Sequence, residues 1–134
     1  MLYISGIYVA LTALLLLVLA YLVVRQRVRY KVGLLDGGQK GISVAMRAQA
    51  NALETAVPVL LLLIVAEVNG AYAVFLHVCG AGFLLSRLLH AWGFTVSQGG
   101  VHFGRYYGTL LTWLVLLALI VRVLWLSLAG LMAG

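Results

Sequence analysis

The stretch "MRAQANALETAVP", residues 46–58, heads an apolar run that continues as "VLLLLIVAEV" to residue 68. It places Arg47, Gln49, Asn51 and Glu54 where hydrocarbon is expected. The surrounding chain explains why the location is unusual. Of 134 residues, 65% are hydrophobic and only 9% are charged, and the mean hydropathy is +1.14. A soluble domain carries about a quarter charged residues. No soluble core of this length hides so much apolar surface, so the solvent for this chain is lipid. Residues 1–134 read as one all-α, integral-membrane domain.

A membrane-crossing helix needs about 20 mostly apolar residues. Four spans meet that requirement, at roughly 2–24, 42–68, 71–94 and 105–132. "VNGA" between the second and third makes a tight turn, so those two form an antiparallel hairpin. The first connector, "RQRVRYKVGLLDGGQKG", holds Arg25, Arg27, Arg29, Lys31 and Lys40. Basic residues in short loops stay in the cytoplasm. The site-bearing end is therefore expected to face the cytoplasm, with both termini outside. The first span is too long for a signal-peptide core and has no basic residue before it, so it reads as a retained helix. The net charge of +6 is accounted for by such positions rather than by a nucleic-acid surface. Cys79 is the single cysteine. That excludes an intrachain disulfide, and no Cys/His spacing points to a metal.

The polar residues inside the spans fall into stripes. Arg47, Asn51 and Glu54 are spaced i, i+4, i+7 and share a helix face. Arg87, His90 and Phe94 repeat the arrangement on the third span, and Arg105, Thr109 and Thr112 on the fourth. Arg47 lies roughly 8 Å inside its span at 1.5 Å per residue, with Arg87 at similar depth and Arg105 opening the fourth. Each arginine costs about 2.5–3.5 kcal/mol at a helix centre, so snorkelling explains Arg105 or Arg122 more easily than Arg47 and Arg87. The three arginines are expected to gather in one layer. They outnumber Glu54, and surplus buried positive charge calls for an anion, while the lone carboxylate calls for an amine on the same molecule. A small zwitterion with excess carboxylate fits. A cation exporter does not, because three arginines around one glutamate repel its cargo. His77 and His102 lack supporting neighbours and read as structural, Glu67 and Asn69 as parts of the hairpin turn, and Tyr106 and Tyr107 as interfacial-belt residues.

These residues also resemble a known family. Arg47, Asn51, Glu54 and Pro58 in "MRAQANALETAVP", with "DGG", "EVNGA", "HVCG", "RLLHAWGF" and "RYYGTLLT", resemble membrane-associated proteins in eicosanoid and glutathione metabolism (MAPEG), in particular their bacterial YecN-like branch. The resemblance covers nearly the whole chain and implies a four-helix subunit that assembles as a homotrimer in the bacterial inner membrane. It implies glutathione bound between subunits, near the cytoplasmic side, contacted by Arg47, Gln49, Asn51 and Glu54, with Glu54 at the amine. Arg87 and His90 would line the site, Arg27 would reach in from the adjoining subunit, and Arg105 would stabilise the thiolate. The implied activity is a glutathione transferase or peroxidase acting on hydrophobic small molecules from the bilayer. The alternative is a catalytically weak ligand-binding protein of the same fold. Thr55, Phe94 and Thr109 stand where eicosanoid enzymes of the family have tyrosines, and Ala50 where the prostaglandin E synthase motif has a second arginine. Both departures argue against prostaglandin synthesis.

Overall fold

The computed structural model describes residues 1–133. Its elements are α1 (Tyr3–Tyr30), α2 (Lys40–Val68), α3 (Ala73–Val96) and α4 (Phe103–Ala133), with no strand among the described residues. All four helices are long and apolar enough to cross a membrane. The hydropathy boundaries move at one end. Arg25, Arg27 and Arg29 belong to the last turns of α1 rather than to the connector, which is only residues 31–39. Basic side chains suit this position, because the carbonyls at a helix C-terminus carry partial negative charge. The helix ends when Lys31 turns left-handed at φ 57°. There Val32 N–H bonds the Arg27 carbonyl at 3.0 Å and Lys31 N–H that of Val28 at 3.2 Å, a Schellman ending.

The α2–α3 hairpin closes in the same manner. Gly70 takes φ +79°, its N–H bonds the Glu67 carbonyl at 3.1 Å, and Ala71 N–H bonds Ala66 at 2.9 Å. A side chain at Gly70 would strain this left-handed position. Glu67 itself does more than border the turn. Its carboxylate accepts the N–H groups of Ile4 at 2.9 Å and Ser5 at 2.7 Å. It thereby caps α1 from a neighbouring helix, where Leu2 offers no side-chain acceptor.

α2 and α3 form the middle of the bundle. α1 lies on both of them and α4 on both of them, while α1 and α4 share no contact among the described residues. The buried side of α2 is a stripe of small residues, Ala48, Ala52 and Ala56, followed by Val59, Leu63 and Ala66. Such residues let membrane helices approach closely. Phe83, Leu76 and Cys79 of α3 and Val115 and Leu119 of α4 complete the same core. α3 and α4 pack closely at Gly108, where a Cβ would sit 2.7 Å from both His90 N and Ser86 O. Those are backbone atoms that cannot move aside. Gly108→Ala is accordingly expected to lose about 1–3 kcal/mol as the helices separate, seen as a lower unfolding temperature in detergent. Gly130→Ala, into open space, is expected to lose none and serves as the control.

Candidate functional site

The polar stripes lie towards the end of the bundle where α1 finishes and α2 and α4 begin. Arg87 on α3 is 2% exposed, and all three of its guanidinium nitrogens are engaged. Nη1 donates to Asn51 Oδ1 at 2.8 Å and Thr55 Oγ1 at 3.3 Å. Nη2 donates to the Gly108 carbonyl at 3.1 Å and to the Thr112 hydroxyl. Nε reaches Ser86 Oγ at 3.4 Å. One cation therefore ties α2, α3 and α4 together through neutral acceptors. Hydrogen bonds of this number are what a buried charge requires when no carboxylate pairs with it. Close packing at Gly108 is what brings a helix carbonyl within reach.

Arg105 occupies a different place. Its Nη1 donates to the carbonyls of Gly99 at 2.8 Å and Gly100 at 3.1 Å. The guanidinium carbon stands 4.9 Å from the centre of the Phe94 ring, and that ring is stacked on buried His90 at 5.8 Å. Gly99 can turn its carbonyl inward because it adopts φ +81°. With one terminal nitrogen braced in this way, Arg105 borders a groove of about 400 Å³, lined also by His102, Tyr106, Thr109, Leu110 and Trp113. The groove is cationic at one end and apolar along its length. Tyr106 borders it.

Arg47 lies in a third location. It is exposed and borders a separate cavity of about 270 Å³ with Leu35, Asp36, Ser43 and Met46. Arg27 approaches the same corner from α1, its Nη2 3.7 Å from Met46 Sδ, while its Nε is buried without a hydrogen-bond partner. Asp36 is held below the usual carboxylate range, first by the Ser43 hydroxyl and then by the Gly38 N–H. The corner therefore presents two guanidinium groups and an ionised carboxylate. Gln49 is half-buried. Glu54 is exposed among Leu53, Val57, Pro58 and Leu61, on the outer face of an α2 that runs unbroken through Pro58.

The expected single layer of three converging arginines is thus corrected within one chain. Arg87 is internal, and Arg47 and Arg105 border different cavities. Four residues along a helix rotate the side chain by roughly 40°, enough to turn Asn51 towards α3 while Arg47 stays outside.

The MAPEG family model matches residues 5–125, which takes in all of the polar stripes. The chain belongs to the MAPEG family. This MAPEG protein is similar to the inner membrane protein YecN of Escherichia coli strain K12, 35% identical over 122 residues that cover 91% of each chain. It is equally similar to YecN of strain CFT073. No solved structure matches it. As a MAPEG member with four helices able to cross a bilayer, it is a membrane protein.

Sequence reasoning about this MAPEG chain missed several participants. The Gly99 and Gly100 carbonyls that hold Arg105 were visible only as a turn in "TVSQGGVH". Asp36 stood in "DGG", a turn signal in which the carboxylate accepts the Gly38 N–H at 3.0 Å and the Ser43 hydroxyl. The two remaining histidines have polar partners. His77 Nδ1 lies 2.9 Å from the Tyr8 hydroxyl, and His102 Nδ1 accepts the Gly104 N–H at 3.1 Å.

Proposed function

We infer that this protein is a glutathione-dependent transferase or peroxidase of the inner membrane, acting on hydrophobic electrophiles at a site completed between copies in a homotrimer. The observation that carries this reading is the division of cations at one end of the bundle. Arg27 and Arg47, with Asp36, suit a molecule bearing two carboxylates and an amine. Arg105 opens onto an apolar groove that an electrophile enters from the bilayer. These corners lie in separate cavities of one chain, and a neighbouring copy brings one of each together. Exposed Glu54 argues in the same direction, because a carboxylate facing hydrocarbon needs a cover. Glutathione is the substrate that matches the donor set. In conjugation its sulfur forms a bond to the electrophilic carbon, the leaving group departs with the bonding electrons, and the thiol proton passes to water. In reduction, a hydroperoxide and two glutathiones give an alcohol, water and glutathione disulfide. A guanidinium at the sulfur lowers the thiol pKa from about 8.5 and raises the thiolate fraction near neutrality. The YecN likeness supports an inner-membrane location, and the basic end of α1 supports a site on the cytoplasmic side.

A second reading, ligand binding with little catalysis, is favoured by the hydroxyls near the site. Thr55 donates to the Asn51 and Ala52 carbonyls and Thr109 to that of Arg105, so neither replaces a phenol. Titration calorimetry with glutathione, paired with turnover of a chlorodinitrobenzene, separates the readings. Saturable binding with turnover is the expected outcome. Binding without turnover establishes the second reading, and absence of both rejects the first.

A further inference from the structure

The opposite end of the bundle carries a second cation–groove pair that the glutathione reading does not use. A groove of about 570 Å³ runs between α3 and α4, lined by Phe75, Leu114, Leu117, Val121, Trp125 and Arg122. All but one of these side chains are apolar. Arg122 stands at the end of the groove near the α2–α3 turn, its guanidinium carbon 5.1 Å from the Tyr72 ring centre. Its Nε is buried and has no hydrogen-bond partner. The carboxylate at this end, Glu67, is committed to the α1 N-terminus through Ile4 and Ser5. Among the described residues Arg122 therefore has an aromatic face but no anion.

We propose that this groove is a binding site for an anionic phospholipid, with the phosphate on Arg122 and one acyl chain along α4 towards Leu114. The occupant follows from charge and shape together. From Arg122 to Leu114 is two turns of helix, roughly 12 Å, a path along which Leu117 and Val121 offer only hydrocarbon. A guanidinium binds phosphate oxygens through paired N–H groups, and the group described against the Arg122 guanidinium is an aromatic ring rather than a carboxylate. A phospholipid carries both parts in the orientation the bilayer imposes. The Tyr72 ring covers one face of the cation and leaves its edge for the headgroup.

The test uses the full chain reconstituted in nanodiscs of equal phosphatidylglycerol and phosphatidylcholine, then released into detergent for native mass spectrometry. Wild type is expected to retain phosphatidylglycerol over phosphatidylcholine by about tenfold, the effect of one charge-assisted contact. Arg122→Gln is expected to lose that excess. Ala118→Phe, which fills the groove and leaves the charge, is expected to lose the bound lipid. Arg29→Gln with Lys31→Gln, at the other end of the bundle, is expected to keep it. Retention of the excess in Arg122→Gln, or its loss in the Arg29/Lys31 variant, overturns the proposal. So does an assembly mass that falls in Arg122→Gln, which makes this face a contact between copies.

Discussion

An Arg105→Ala chain is expected to fold normally while the proposed glutathione conjugation near neutral pH falls by about 10²–10³-fold, the range for losing one preorganised donor to a developing anion. The expectation rests on how Arg105 is held. One terminal nitrogen is fixed by the Gly99 and Gly100 carbonyls and the guanidinium stands over Phe94, so the cation that borders the groove is already held in place. Few core contacts depend on this half-buried side chain, which is why stability is spared. The pH profile gives an independent readout. Without the guanidinium, the rate is expected to climb as pH rises through the ordinary thiol value of about 8.5, whereas the wild-type rate levels off at lower pH. Full activity in Arg105→Ala, with an unchanged profile, removes Arg105 from the chemistry.

Arg87→Ala has the largest expected effect on folding. The substitution strips Asn51 Oδ1 of its donor, takes one bond each from the Gly108 carbonyl and the Thr112 hydroxyl, which still bond each other, and opens a cavity where three helices meet. Together these are expected to cost about 3–5 kcal/mol, read as a fall in unfolding temperature and loss of a monodisperse peak in detergent. Arg87→Lys is expected to recover little, because a single ammonium cannot span acceptors on α2 and α4 as a planar fork does. Gln49→Ala, away from this junction, is expected to stay within about 0.5 kcal/mol of wild type. If Arg87→Ala instead keeps its stability and only raises the KM for glutathione, Arg87 is a ligand contact and not a strut.

These two arginines show what the amino-acid sequence discloses and what it withholds. Four spans were legible because 65% hydrophobic composition leaves few alternatives. The ends of α1 were not, since hydropathy stops at Arg25 while the backbone continues to Tyr30. The i, i+4, i+7 spacing of Arg47, Asn51 and Glu54 correctly put them on a helix flank. It could not say that Asn51 is turned inward and Glu54 outward, because that depends on where α3 lies. Nor could it reveal that a glycine carbonyl would be a main partner of Arg87. That contact exists only because Gly108 admits the backbone of α3 at close range. The shared cavity was anticipated from charge alone, and charge carries no information about which side of a bundle each side chain faces.

The partners of Arg87 are an amide, hydroxyls and a peptide carbonyl, none of which titrates. Acid therefore has no proton acceptor to neutralise at that junction, and the hold on the three helices persists where a salt bridge would dissolve. The half-buried Asp36 clasp on Ser43 behaves in the opposite sense. Its carboxyl is depressed in the folded chain, so its contribution is present above the unfolded carboxylate value and disappears as the medium acidifies through the folded one. Acidification is thus felt in the loop that frames the Arg47 corner, while the Arg87 hydrogen bonds beneath it have no partner to protonate.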